Sequence, residues 1–184
     1  KTYPDFQNLP MPAWDMVDTK NYYKVTRVFA LKQFIEYVAP SAIINTVRGC
    51  VAKCTFCSVR NFNGFGVRAR NPENVLDELE ILVKDYGIKY IEIVDDDFTA
   101  DLEHALTICK GIINRKLDII WSLDNGIRLL TITEELAEYL VESGCRLISV
   151  GVKSGNAEIM RQVKKPLTIP GLYKKMEMMK QFPD

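Results

Sequence analysis

Three of the chain's five cysteines stand at positions 50, 54 and 57, inside the stretch NTVRGCVAKCTFCSVR. Thiols packed this densely serve as metal ligands or as a redox device, and the C-x3-C-x2-C spacing leaves four readings. A disulfide knot strands one of the three sulfurs and needs an oxidising compartment. A thioredoxin-type pair at Cys54 and Cys57 leaves Cys50 without a task. A structural zinc ion takes four ligands, yet the single histidine, His104, lies far downstream and Cys109 and Cys145 fit core positions. An iron–sulfur cluster is held by cysteine thiolates. Three thiolates on one loop could hold three irons of a cubane and leave the fourth open to a small molecule.

The elements that must position this loop follow from the hydrophobic pattern. A strand pattern followed by a helix pattern occurs four times. The first strand spans 42–47 (AIINTV) and runs straight into the cysteines. The helix over 71–87 has Asn71 as N-cap, Pro72 at its first position and Gly87 at its end, with Val75, Leu79, Leu82 and Tyr86 on one face. A β-branched strand over 88–94 ends in the triplet Asp95, Asp96 and Asp97. The helix after it places Leu102, Ala105, Leu106, Cys109, Ile112 and Ile113 on one face, with His104 on the polar side. A third strand covers 118–123. Its helix starts near Thr131–Thr133, buries Leu136, Ala137, Leu140 and Val141, and stops at Gly144. The fourth strand covers 146–152. A short helical turn at 156–163 follows, then a helix with Leu172, Met176 and Met179 on one stripe.

Strands apolar nearly throughout, alternating with amphipathic helices, predict an α/β fold of parallel strands. Right-handed crossovers then bring the C-terminal ends of the strands to one rim, where α/β proteins place their chemistry. The cysteines, DDD, DNGIR and KSGN all follow strands and so share that rim.

Composition narrows the class. With 47% hydrophobic and 26% charged residues the chain is globular. Its formal net charge of zero gives no electrostatic reason to expect a nucleic acid or an anionic membrane as partner. An odd number of cysteines, with neither a signal peptide nor an 18-residue apolar run, fits a reducing cytoplasmic setting.

The cysteine stretch resembles the radical S-adenosylmethionine (radical SAM) superfamily, whose signature is C-x3-C-x-φ-C with an aromatic at φ, here Phe56. The resemblance implies a partial parallel (β/α) barrel carrying a 4Fe-4S cluster on Cys50, Cys54 and Cys57. It implies that the open iron chelates S-adenosylmethionine. Reductive cleavage by one electron from an external donor then releases a 5′-deoxyadenosyl radical, which abstracts hydrogen from a small-molecule substrate. It places the Asp95–Asp97 segment near the methionine amino group and Phe56 over the cluster or the adenine. Ser122, Asp124, Asn125 and Arg128 follow the third strand, with Arg128 suited to the methionine carboxylate. Ser154 and Gly155 form a cofactor-facing turn. Lys153 departs from the family pattern, which has Glu or Gln there; an ammonium reverses the local charge, so it pairs with a substrate acid or with DDD.

The resemblance covers residues 41–184, read as an incomplete core: four βα units where the family has six strands, without the glycine-rich segment of the fifth. A larger protein is expected around it. Residues 1–40, with Pro4, Pro10 and Pro12, read as an extended linker or wrap-around segment. They resemble the linker that joins a cobalamin-binding domain to the core in the subfamily containing methyltransferases and the anaerobic magnesium-protoporphyrin ester cyclase; cobalamin would then be bound by a domain outside this chain. The rival reading is a non-catalytic metal-binding or electron-transfer module built on the same loop, which a fourth cysteine near the trio would favour.

Overall fold

The computed structural model describes residues 3–19, 21 and 40–182. The part of the expected linker at 22–39 lies outside the described residues.

Four parallel strands form the central sheet in the order of the chain: β1 (Ser41–Ile44), β4 (Tyr90–Ile93), β5 (Ile120–Ile127) and β6 (Cys145–Val150). A two-residue antiparallel ladder joins β2 (Val47–Arg48) to β3 (Arg68–Ala69). The helices are α1 (Val59–Asn63), α2 (Pro72–Tyr86), α3 (Leu102–Asn114), α4 (Glu134–Glu142), α5 (Ala157–Gln162) and α6 (Ile169–Met179).

Local chemistry sets these boundaries. Asn71 Oδ1 caps α2 by accepting the Glu73 N–H, and Gly87 ends the helix at φ +65°, a left-handed residue that glycine adopts freely. Asp101, Thr133, Asn156 and Thr168 cap α3, α4, α5 and α6 through their side chains; each such cap contributes about 1 kcal/mol.

Alternation along the strands sorts the two faces. Ala42, Ile44, Ile91, Ile93, Trp121 and Leu123 point to the helices and form one core with Leu79, Leu82, Ile108, Ile112, Leu136 and Leu140. Trp121 is fully buried, meets the Phe98 ring edge-on at 5.6 Å and donates its indole N–H to Ser143 O at 3.0 Å. The opposite face carries Ile43, Tyr90, Glu92, Ser122 and Asp124.

Several boundaries differ from expectation. The first strand stops at Ile44 because the Asp95 carboxylate accepts the backbone N–H groups of Thr46 and Val47, turning the chain out of the sheet into β2. The third strand runs on to Ile127, so Asp124 and Asn125 are strand residues. Leu102 and Met176 are exposed, while Ile108 joins the core. His104 is buried, not on a polar surface: its Nε2 lies 3.0 Å from Arg70 O, its Nδ1 has no partner among the described residues, and burial lowers its pKa.

The described N-terminal residues pack on the core. Trp14 donates to Glu78 at 3.0 Å, and Glu78 forms a buried ion pair with Arg70 at 2.5 Å. Arg70 also reaches Asn74 and Asn45 O, so one guanidinium ties the turn after β1 to α2.

Candidate functional site

The loop bearing the cysteines begins at Gly49, and its conformation requires glycine. At φ +94° a Cβ would stand 2.2 Å from Gly66 O, which no side chain tolerates. The Gly49 N–H donates to Asp96 Oδ2 at 2.7 Å, and Asn63 of α1 donates to the same oxygen at 2.6 Å. One carboxylate therefore clamps both ends of the loop-and-helix unit. Between them the Thr55 N–H reaches Val163 O at 3.0 Å and the Cys57 N–H reaches Cys54 O at 3.2 Å.

Cys50, Cys54 and Cys57 all line one cavity of about 290 Å³, together with Phe56 and Arg60 from the same stretch. Asp95 and Asp96 after β4, Asn125 to Arg128 on and after β5, and Gly151, Lys153 and Lys165 beyond β6 complete it. All four segments expected at the strand C-terminal rim thus meet around one space. Phe56 is half-exposed, and the Lys153 ammonium sits 5.4 Å from its ring centroid. A larger cavity, about 770 Å³, lies between residues 4–7 and β3 and touches the cysteine stretch only at Val51.

The three aspartates have separate tasks. Asp95 is buried and takes donors from Thr46 N, Thr46 Oγ1, Val47 N and Asn45 Nδ2; burial nonetheless pushes its carboxyl up to about 6. Asp96 is the clamp just described. Asp97 does not line the cavity. It pairs with Arg128 Nε, accepts Thr99 Oγ1 at 3.0 Å and lies 3.9 Å from the Cys50 sulfur. Arg128 does face the cavity, with Nε committed to Asp97.

Besides Asp97, two expected site residues lie elsewhere. Ser122 is fully buried on the face opposite the helices and hydrogen-bonded to the Tyr90 hydroxyl, because β5 continues past it and carries the rim four residues further on. Ser154 does not line the cavity; its hydroxyl accepts the Asn156 N–H at 3.0 Å in the turn before α5. Arg60 and Lys165 also line the cavity; neither belongs to the cysteine signature nor follows a strand directly, so no local sequence pattern marks them.

A cluster ligand set needs several cysteines lining one space, and Cys50, Cys54 and Cys57 do so. Among the described residues no three His, Cys, Asp or Glu side chains gather about a point in the way a single ion requires. Cys109 and Cys145 are buried in the core and line no part of this cavity, so neither is the nearby fourth cysteine that would favour the non-catalytic reading. Burial, helped by the Asp97 charge, raises the Cys50 thiol pKa, with Arg128 opposing. Metal binding must therefore expel a proton from Cys50.

The chain is 30% identical over 169 residues to the cytidylyl-2-hydroxyethylphosphonate methyltransferase of Streptomyces wedmorensis, covering 90% of this chain and 30% of that protein. It is 27% identical over 158 residues to the anaerobic magnesium-protoporphyrin IX monomethyl ester cyclase of Rubrivivax gelatinosus, covering 86% and 26%. The chain thus spans under a third of the length of these relatives. In fold it is similar to the radical S-adenosylmethionine methyltransferase TsrM of Kitasatospora setae, solved with cobalamin and a [4Fe-4S] cluster, at a TM-score of 0.72, 20% identity, and coverage of 90% and 31%. The Radical SAM superfamily model matches residues 44–182, and the chain belongs to that superfamily.

Proposed function

We propose that this chain is the cluster- and cofactor-binding part of a radical SAM enzyme. The observation carrying the proposal is that Cys50, Cys54 and Cys57 face one cavity at the rim of a parallel sheet, with Phe56 between two of them. A bound 4Fe-4S cluster would supply the single electron that splits S-adenosylmethionine and starts radical chemistry. The protein's part is to hold and shelter. The three thiolates would ligate the cluster, and the Gly49–Asp96–Asn63 clamp fixes their loop. Phe56 covers one side of the space, with Asn125 on β5 and Arg128 just after it lining another.

The relatives are methyltransferases and a cyclase, which supports a reaction on a small molecule, with an external one-electron donor. The TsrM structure contains cobalamin; we extend that dependence to the full protein, with cobalamin held outside this chain. No helix among the described residues is long and apolar enough to cross a membrane, and we place the protein in the cytoplasm.

Anaerobic reconstitution with iron and sulfide tests the reading. Wild type should take up about four irons and four sulfides per chain and show a cluster electron-resonance signal on reduction, which S-adenosylmethionine perturbs. Equal uptake by a Cys50→Ala/Cys54→Ala/Cys57→Ala triple variant sinks it, as does zinc bound without sulfide, the outcome the electron-transfer or structural-metal alternative requires.

A further inference from the structure

Lys153 and Lys165 lie on different segments, one after β6 and one after α5, yet their ammonium groups converge. A Cβ added to Gly151 would lie 3.6 Å from Lys153 Nζ and 3.7 Å from Lys165 Nζ. Both nitrogens thus flank the same bare stretch of backbone. Both residues line the cavity of the cysteine loop. Among the described residues neither side chain has a carboxylate partner. The acids on the same wall, Asp95 and Asp96, take their hydrogen bonds from Thr46, Val47 and Asn45 and from Gly49 and Asn63, and neither contacts a lysine.

Two like charges brought together without a carboxylate in contact repel, and here the backbone of Lys153 is also strained. Lys153 has φ +78°, a conformation that costs a non-glycine residue about 1–3 kcal/mol and persists where the surroundings demand it. Its aliphatic stem and ammonium are steered over the Phe56 ring, 5.4 Å from the centroid. A residue kept in this posture beside a second cation forms a receptor for an anion. Two ammonium groups, each with three donors and a point charge, match a dianion better than a single carboxylate.

We infer that Lys153 and Lys165 form an oxyanion subsite that binds a phosphate-like dianion on the substrate, beside the cluster loop. The inference rests on the proposed radical SAM reading for what the neighbouring cavity holds, and adds the substrate's chemical class.

The test is calorimetric titration of the anaerobically reconstituted chain with inorganic phosphate, with acetate as the monoanion control. Wild type should bind phosphate saturably and acetate at least fivefold more weakly. Lys153→Gly, which suits the backbone at this φ, and Lys165→Met should each weaken phosphate binding at least fivefold, and together abolish it. Lys84→Met removes the same charge from α2, away from the cavity, and should leave it unchanged. Excess S-adenosylhomocysteine should not displace phosphate; if it does, the position belongs to the cofactor's carboxylate and the inference is overturned. It is equally overturned if wild type shows no saturable binding or if the lysine variants bind as wild type does. Iron and sulfide content of the same samples reports separately on the radical SAM reading, so either idea can fail alone.

Discussion

The Gly49 N–H donates to Asp96 Oδ2 at 2.7 Å, across 47 residues of chain, and so fastens the start of the cysteine loop to the end of β4. Asn63 uses the same oxygen from the far side of the loop. Asp96→Ala should leave two donors unpaired and cost about 1–3 kcal/mol. Gly49→Ala should cost more, because Gly66 O occupies the Cβ position. Denaturant unfolding measures both costs, and iron content after reconstitution should fall in each. A Gly49→Ala protein with wild-type iron content would show that the loop does not depend on this conformation.

Cys50 titrates between two opposing charges. Asp97 raises its pKa and Arg128 lowers it, on top of the larger effect of burial. In a Cys54→Ser/Cys57→Ser background, Asp97→Asn should move the onset of Cys50 alkylation to lower pH, and Arg128→Met should move it higher. Alkylation rates measured against pH before metal loading check both directions, and a shift of the same sign in both variants would rule the arrangement out.

Asp95 makes stability depend on pH. Its folded pKa of about 6 lies above the ordinary 3.8, so the folded state holds this proton more tightly. The contribution is complete below about 3.8 and disappears as pH rises through about 6. A shift of this size corresponds to the order of 3 kcal/mol. Burial pushes Glu92 and Asp124 in the same direction. Unfolding free energy from this group should therefore rise as pH falls from 7 towards 4, and Asp95→Asn should flatten that slope, as urea titrations at several pH values will show.

The Arg70–Glu78 pair joins the turn after β1 to α2 and, through Trp14, to the N-terminal residues. Arg70→Met strands a buried carboxylate and should cost about 3–5 kcal/mol. Glu78→Gln, which still accepts from Trp14, should cost less. Thermal melts order the two.

Much of this was legible along the chain because the signals were local. Asn71, Pro72 and Gly87 delimit α2 by rules that act within a turn of helix. The apolar strand–helix alternation yields a parallel sheet in chain order, and strand ends then share a rim by handedness alone. The three cysteines with Phe56 are a contiguous pattern, sufficient to point to the family. Ser122 falls outside the site for the opposite reason: the extent of β5 is set by pairing with β6, with an irregular register between Leu123 and Ile127, and pairing is not a local property.

The amino-acid order by itself determined the βα series, the helix caps and the spacing of the sulfur ligands, since each depends on neighbours within a few residues. Which partners the polar groups find was decided only by folding. Asp95 went to the turn after β1, Asp96 to Gly49 and Asn63, Asp97 to Arg128 and Cys50, although the three are adjacent and chemically identical. Lys153 and Lys165 became a pair, and His104 was drawn into the interior. These outcomes rest on contacts between segments far apart in the chain, where burial and competition for donors select the partner.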